Sequence, residues 1–425
     1  MLSYVNKKYK PKKTELICLY KIIPAKGLTL EQAADHVAKE SSIGTWTTIS
    51  TMNPKVAKSL KPTAYKFDKK TGEVKIAYPP HLFEAGNIPE ILSSIAGNVF
   101  GMKAVQKLRL QDIDFPESIV KSFKGPKFGI EGIRKLTKVK NRPLVGTIVK
   151  PKVGLNEKQH AKVAYDAWIG GLDVVKDDEN LSSMTFNNFD KRMKETFKLR
   201  DQAEKITGEK KIYMPNITAE TDEMLRRAKV VKKLGGEYIM VDILTIGFAG
   251  LQTLVKANLG MVFHAHRAMH AALTRMPDHG ISMMVIAKVM RLIGMDQLHI
   301  GTANIGKMAE VGEECCQILR AIEDPKAKAN IKASVLDQNW YGLKPILAVA
   351  SGGLQPGMIP KLVKKMGIDI VAQFGGGCHG HPDGTEAGAR AIRQATQAAI
   401  EGISLKKYAK NHEELRKAID LWGVA

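Results

Sequence analysis

Cysteine is scarce. The 425 residues hold four, Cys18, Cys315, Cys316 and Cys378, with no C-x-x-C spacing. No disulfide framework is expected, and a reducing cytoplasm fits. Long apolar runs are missing too. None approaches the ~20 residues of a membrane span, so no membrane partner is expected. The first residues, MLSYVNKKYKPKK, lack the apolar stretch of a signal peptide. No low-complexity tract or Pro/Ser-rich linker interrupts the chain. Acidic residues are under-represented: 43 Asp+Glu stand against 65 Lys+Arg, a formal charge of +22. Such a balance favours anionic partners, among them nucleic acid and phosphorylated substrates. The excess is spread along the chain, however, and only residues 7–13 form a dense basic cluster. A lysine-rich solvated surface accounts for it, and no nucleic-acid partner is expected.

The composition that remains is ordinary for a globular protein, 44% hydrophobic and 25% charged, and the length suits two domains. Residues 1–124 mix strand-like runs (15–23, 74–78) with helical patterns (30–38, 89–95), which predicts a small α+β domain. In residues 125–425 the pattern changes. Eight short apolar runs, at 144–149, 172–175, 212–217, 238–243, 261–264, 297–300, 346–350 and 368–374, alternate with amphipathic helical stretches such as 157–168. Eight β-α units predict a TIM (β/α)8 barrel. A doubly wound sheet is the competitor, but it usually has fewer strands, and no GxGxxG follows the first run.

A barrel carries its active site at the C-terminal ends of its strands. The residues there are Lys150 and Lys152; Lys176-Asp177-Asp178-Glu179; Asn216; Asp242; His264, His266 and Arg267; His299 and Thr302; Ser351-Gly352-Gly353; and Gly375-Gly376-Gly377. Turns and helix caps explain glycines and some Asp or Asn. They do not explain lysines, histidines and an arginine on one rim. Three consecutive carboxylates repel and call for a cation, and Mg2+ prefers oxygen ligands. An ammonium does not ligate a metal, but Lys176 carbamylated by CO2 would present a carboxylate. The SGG and GGG clusters follow strands seven and eight, where barrels often bind phosphate through backbone N–H groups. Arg267 and His299 suit a second phosphate. Lys150 and Lys152 face the same way in an extended strand, and a lysine held among cations loses its proton near neutrality.

Together these motifs resemble the large subunit of ribulose-1,5-bisphosphate carboxylase/oxygenase (RuBisCO). GTIVKPKVGL (146–155), GGLDVVKDDEN (170–180), HAHRAMHA (264–271), GTANIGKM (301–308), SGG (351–353) and QFGGGCHGHPDG (373–384) stand in the family's order, with ESSIGTW (40–46) and AGNVFG (96–101) before them. MPNITA (214–219) and the compact C-terminus look most like the archaeal form III group. The resemblance implies a ferredoxin-like α+β domain before the TIM barrel, and carboxylation of ribulose-1,5-bisphosphate by CO2 to two 3-phosphoglycerate through a Mg-stabilised enediolate. An oxygenase side reaction with O2 comes with it.

It also implies roles for single residues. Lys176, as its carbamate, would hold one Mg2+ with Asp178 and Glu179, Asp177 being a neighbour and not a ligand. Lys150 would act as acid and base. Lys152 and His266 would assist at the substrate's C2 and C3 oxygens, and Lys307 would close over the site on a mobile loop. Arg267, His299 and Ser351 would bind one phosphate. Gly352, Gly353, Gln373, Gly375, Gly376, Thr45 and Trp46 would line the substrate and its other phosphate. Glu40 and Asn98 would complete the site of a partner subunit, in a homodimer or ring of dimers without a small subunit. Form III resemblance further implies salvage of nucleotide (AMP) ribose. Two departures stand out: the loop 301–314 has one extra residue before Gly306 and an alanine, Ala309, where glutamate is usual, and Ile148 replaces the threonine of plant-type enzymes.

Overall fold

The chain, described here by a computed structural model over residues 3–47, 49–308 and 313–425, divides into two compact units. The first comprises Met1–Gly125, Met269–Ile293 and Arg320–Leu343; the second comprises Pro126–Ala268, Gly294–Leu319 and Lys344–Ala425. Two excursions from the later part of the sequence thus cluster with the first unit.

In that first unit, β1 (Leu16–Pro24), β2 (Thr63–Asp68), β3 (Glu73–Tyr78) and β4 (Val105–Asp114) form an antiparallel sheet in the order β4-β1-β3-β2. Helices Leu30–Glu40 and Ile88–Ile95 supply the two connections of a βαββαβ ferredoxin-like motif. Central β1 is covered on both faces. Ile17 and Leu19 join Ala77 and Leu336 on one, and Tyr20 donates to the Ile95 carbonyl at 2.7 Å on the other. Two-sided burial replaces the polar–apolar alternation with a continuous apolar run, which is why the 15–23 stretch reads so clearly.

β4 escaped the sequence pattern because it buries charge. Arg109 donates to the carbonyls of Thr274 (3.1 Å) and Met276 (2.5 Å). Asp112 meets Lys288 at 2.7 Å, with both side chains fully buried. Lys288 lies on helix Met283–Ile293, so this ion pair secures one of the later excursions to the sheet. Strand Gly280–Ile281 adds a parallel edge beside β4.

The second unit is a barrel of eight parallel strands: β5 (Leu144–Ile148), β6 (Val174–Lys176), β7 (Ile212–Met214), β8 (Tyr238–Asp242), β9 (Val262–His266), β10 (Gln297–His299), β11 (Leu347–Ser351) and β12 (Ile370–Phe374). The ladder runs β7-β6-β5-β12-β11-β10-β9-β8. A bridge between Asn216 and Met240 closes it, with Met240 N donating to Pro215 O at 2.9 Å and Ile217 N to Met240 O at 3.0 Å. Five of the eight expected runs contain a whole strand, and 172–175, 261–264 and 346–350 overlap strands that run one or two residues further. β7 stops at Met214 because Pro215 has no N–H for the ladder.

Leu144, Val174, Ile212, Met214, Tyr238, Met240, Val262, Leu347, Val349 and Val371 fill a single buried core. Helix Gly129–Thr137 covers it through Ile133, Ile130 and Leu136. Asp296 fastens that helix by accepting from Phe128 N at 2.7 Å and Gly129 N at 3.4 Å, and from Phe263 N at 3.0 Å. Burial outweighs those bonds and raises its pKa to about 6. With the core stacked below, the polar strand ends have only the opposite rim to occupy.

Replacing Lys288 by Met leaves Asp112 buried without its cation. The expected loss is about 3–5 kcal/mol of unfolding free energy, measured by urea denaturation. A loss below about 1 kcal/mol would contradict the role of this pair in joining helix Met283–Ile293 to β4.

Candidate active site

Lys176 ends β6 with its side chain wholly buried. Its Nζ donates to the Asp177 carbonyl at 2.8 Å and lies 3.9 Å from Glu179 Oε2. Burial lowers the pKa of this amine despite the nearby Glu179, Asp242, Asp178 and Asp177. Asp178, also buried, receives Lys150 Nζ at 2.5 Å. The nearest ionic partner of Lys150 is therefore a carboxylate, not the other cations the sequence suggested. Glu179 lies 3.5 Å from Lys152 Nζ and 3.7 Å from His266 Nε2. Burial pushes its pKa up, but Lys176, His266 and Lys152 more than offset this and bring it to about 2. One strand end thus presents the Asp178 and Glu179 carboxylates beside an amine whose pKa burial lowers.

Imidazoles from β9 and β10 occupy the next sector. His266 Nδ1 bonds Asp242 at 2.6 Å, its register partner on β8. His264 Nδ1 bonds Gln297 at 2.8 Å, and its Nε2 lies 2.8 Å from His299 Nε2. Burial drives the pKa of His264 to about 3 and that of His299 well below its ordinary value, aided in both by neighbouring cations. Both rings are neutral, so His299 offers hydrogen bonding and not charge. Arg267 follows β9 directly.

The glycine clusters hold the remaining sector. Ser351 and Gln373 are register partners on β11 and β12. Gly352 and Gly353 have φ of +129° and +72°, which glycine adopts freely and L residues rarely. Their turn carries the segment with Lys307, whose N–H donates to Gly352 O at 3.0 Å. A Cβ at Gly353 would stand 2.7 Å from Lys307 Cβ. A Cβ at Gly375 would stand 3.3 Å from Lys150 Cε, whereas one at Gly376 would meet nothing within 4 Å. Ala309, the altered loop residue, lies outside the described residues.

The barrel therefore gathers Lys150, Lys152, Lys176, Asp178, Glu179, His266 and His299 at one rim, with the SGG and GGG turns beside them. Glu40, Thr45, Trp46 and Asn98 belong to the first unit, where Trp46 is 84% exposed. Sequence reasoning marked Asp242 and Asn216 as strand-end residues without giving them a task. Asp242 orients His266, and Asn216 Nδ2 donates to the carbonyls of Glu179 (3.2 Å) and Leu181 (3.1 Å). Their places at the ends of neighbouring strands were the available signal. Gln297, inside the barrel, carried none.

Comparison with known proteins decides between a generic barrel enzyme and a particular one. Residues 129–422 match the ribulose bisphosphate carboxylase large chain catalytic domain, and residues 3–119 match that family's N-terminal domain. The chain belongs to the ribulose bisphosphate carboxylase large-chain family. The ribulose bisphosphate carboxylase of Methanosarcina mazei is 52% identical over 423 residues, covering 99% of both chains. That of Methanocaldococcus jannaschii is 48% identical, covering 99% of this chain and 100% of the relative. A dimeric archaeal Rubisco from Hyperthermus butylicus superposes with a TM-score of 0.93 at 44% identity, covering 99% of each chain. The octameric Rubisco from Pyrococcus horikoshii gives 0.91 at 44% identity, over 99% of this chain and 96% of that one.

Among the described residues, no three His, Cys, Asp or Glu side chains are grouped to hold a metal ion. The donor set fits a divalent cation once Lys176 supplies an oxygen ligand. Its buried amine, low in pKa and beside Asp178 and Glu179, has the chemistry to form a carbamate.

His379 packs behind β5, with Nε2 2.9 Å from both Thr147 Oγ1 and Ile148 O. Burial lowers its pKa from 6.5 to about 4. Below pH 6.5 the unfolded chain takes up a proton that the folded one refuses, so stability falls as pH drops towards 4. In His379→Gln the slope of unfolding free energy between pH 6 and 5 should be shallower by about 1 kcal/mol per pH unit. Denaturant titrations at the two pH values measure it, and parallel slopes would contradict the assignment.

Proposed function

We propose that this chain carboxylates ribulose-1,5-bisphosphate to two molecules of 3-phosphoglycerate at the rim of its barrel, with oxygenation as a side reaction. The observation carrying the reading is the buried Lys176 amine near Glu179 and Asp178, in a chain matching the family over nearly its whole length. Lys176 adds to CO2 and releases a proton, and its carbamate with Asp178 and Glu179 would hold one Mg2+. When bound, the cation supplies positive charge beside the oxygens of the reacting enediolate.

The chain's own groups do the rest. Lys150 moves the proton that leaves C3 in enolisation and the one that returns in the last step. Lys152 and His266 bond the oxygens on C2 and C3, and Asp242 keeps His266 oriented. Carbon C2 bonds to CO2, water adds at C3, and the C2–C3 bond breaks. Protonation of the carbanion left on C2 gives the second 3-phosphoglycerate. Arg267, His299 and Ser351 bind one phosphate. The backbone N–H groups of Gly352, Gly353, Gly375 and Gly376, together with Gln373, Thr45 and Trp46, line the substrate and its other phosphate. Lys307 closes on the new carboxylate. O2 is uncharged like CO2, so no charge in the site excludes it.

The same reading divides the chain into an N-terminal domain, 1–124, and a catalytic domain, 125–425, close to the limits of the two family matches. Glu40 and Asn98 complete the site of a partner subunit in a homodimer or ring of dimers, consistent with dimeric and octameric solved relatives. No helix of the described residues is long and apolar enough to cross a membrane, and we place the enzyme in the cytoplasm. Its likeness to archaeal relatives supports a form III enzyme in the salvage of nucleotide ribose.

Lys176→Ala should abolish turnover, and Glu40→Gln should leave a folded, nearly inactive protein. Mixed and allowed to exchange subunits, the two variants form hybrid dimers with one intact site, so about a quarter of wild-type activity returns. No recovery with exchange confirmed would refute the shared site, and full activity in Lys176→Ala would refute the carbamate.

A further inference from the structure

The third carboxylate of the Lys176–Glu179 run has no part in the chemistry above, yet it has the most polar partners, two hydrogen bonds and two ion-pair contacts. Asp177 is wholly buried. Its Oδ1 accepts from Tyr213 Oη at 2.6 Å and lies 3.0 Å from His160 Nε2. Its Oδ2 accepts from Asn216 N at 3.0 Å and faces Arg192 Nε at 3.3 Å. These partners come from helix Glu157–Ile169, helix Phe189–Thr207, β7 and the residues just after it. Burial opposes ionisation of Asp177, but Arg192, His160 and Tyr213 overcome it and hold the carboxyl below the usual range.

The same groups bind the loop that follows. Arg192 Nη1 donates to Ser182 O and to Asn187 Oδ1, each at 2.9 Å. Asn216 Nδ2 reaches the Asp178 carbonyl at 3.4 Å as well as those of Glu179 and Leu181. The loop's backbone is therefore tied from behind, while Asp178 and Glu179 keep their side chains toward Lys150, Lys152 and Lys176. A buried ion pair brings little net stability, because desolvation cancels most of the attraction. What it brings here is direction. Unanchored, Asp177 would be a third carboxylate able to turn toward the same cation and draw its neighbours out of place.

We propose that Tyr213, His160 and Arg192 are positioning residues for the cation site, fixing the loop that presents Asp178 and Glu179 by holding Asp177 away from it. The proposal rests on the reading of Lys176, Asp178 and Glu179 as that site. Supporting groups of this kind typically change metal affinity 10–100-fold.

The test follows ¹⁴CO2 retained on the full-length protein as Mg2+ is raised, which reads the loaded site without turnover. Tyr213→Phe removes one hydrogen bond and keeps the ring against Phe197 and Trp168. It should raise the Mg2+ concentration for half-maximal retention about tenfold, and His160→Gln should shift it in the same direction. Trp168→Phe perturbs the same cluster without touching Asp177, so it should lower the melting temperature and leave the Mg2+ midpoint unchanged. Wild-type midpoints in both Tyr213→Phe and His160→Gln would overturn the proposal while leaving the cation site intact, as would an equal shift in Trp168→Phe. Should Tyr213→Phe not fold, His160→Gln alone decides. Retention that is independent of Mg2+ in the wild type, or undiminished in Lys176→Ala, would overturn both readings.

Discussion

The whole site depends on a lysine amine buried away from solvent. An ammonium in that position pays heavily in desolvation, and the carboxylates beside Lys176 do not fully compensate. Burial thus shifts the balance toward the neutral amine, the form that adds to CO2. Under the proposed function, carbamylation would turn this amine into an anion and supply the oxygen that Asp178 and Glu179 lack as a metal pair. On that reading burial, costly to a charged lysine, is the source of its reactivity.

Barrel closure is what makes that burial possible. β6 is only three residues long, and Lys176 is its last. Flanked by β5 and β7 and backed by two helices, its end is covered on every side except the rim. The same closure brings Asp242 beside His266 and Ser351 beside Gln373 as register partners, though the members of each pair lie more than twenty residues apart in sequence. Parallel strands in a ring turn scattered strand-end residues into neighbours, and the apolar core beneath keeps them at one level.

The parts of this arrangement legible in the sequence are those with a short-range signature. Two-sided burial gives β1 and the barrel strands continuous apolar runs, and the KDDE run marks its own strand end. Glu157–Ile169 could be read from its amphipathic pattern, which a capping box of Asn156 and Gln159 completes. What stayed hidden depends on distant partners. β4 looks polar until Lys288 and the Thr274 and Met276 carbonyls are in place to receive Asp112 and Arg109. Tyr213, Arg192 and His160 are unremarkable on their own elements and converge only on Asp177. Lys150 appeared in sequence as one cation among several, and the fold sets it against Asp178.

The most direct test of the central claim is fixation of ¹⁴C-bicarbonate into acid-stable product with ribulose-1,5-bisphosphate, with and without prior incubation in CO2 and Mg2+. The account predicts label in 3-phosphoglycerate that rises with preincubation, because Lys176 must be carbamylated before the site can act. Absence of label from folded, dimeric protein would contradict it, and would point instead to enolisation or isomerisation of another sugar phosphate on the same rim.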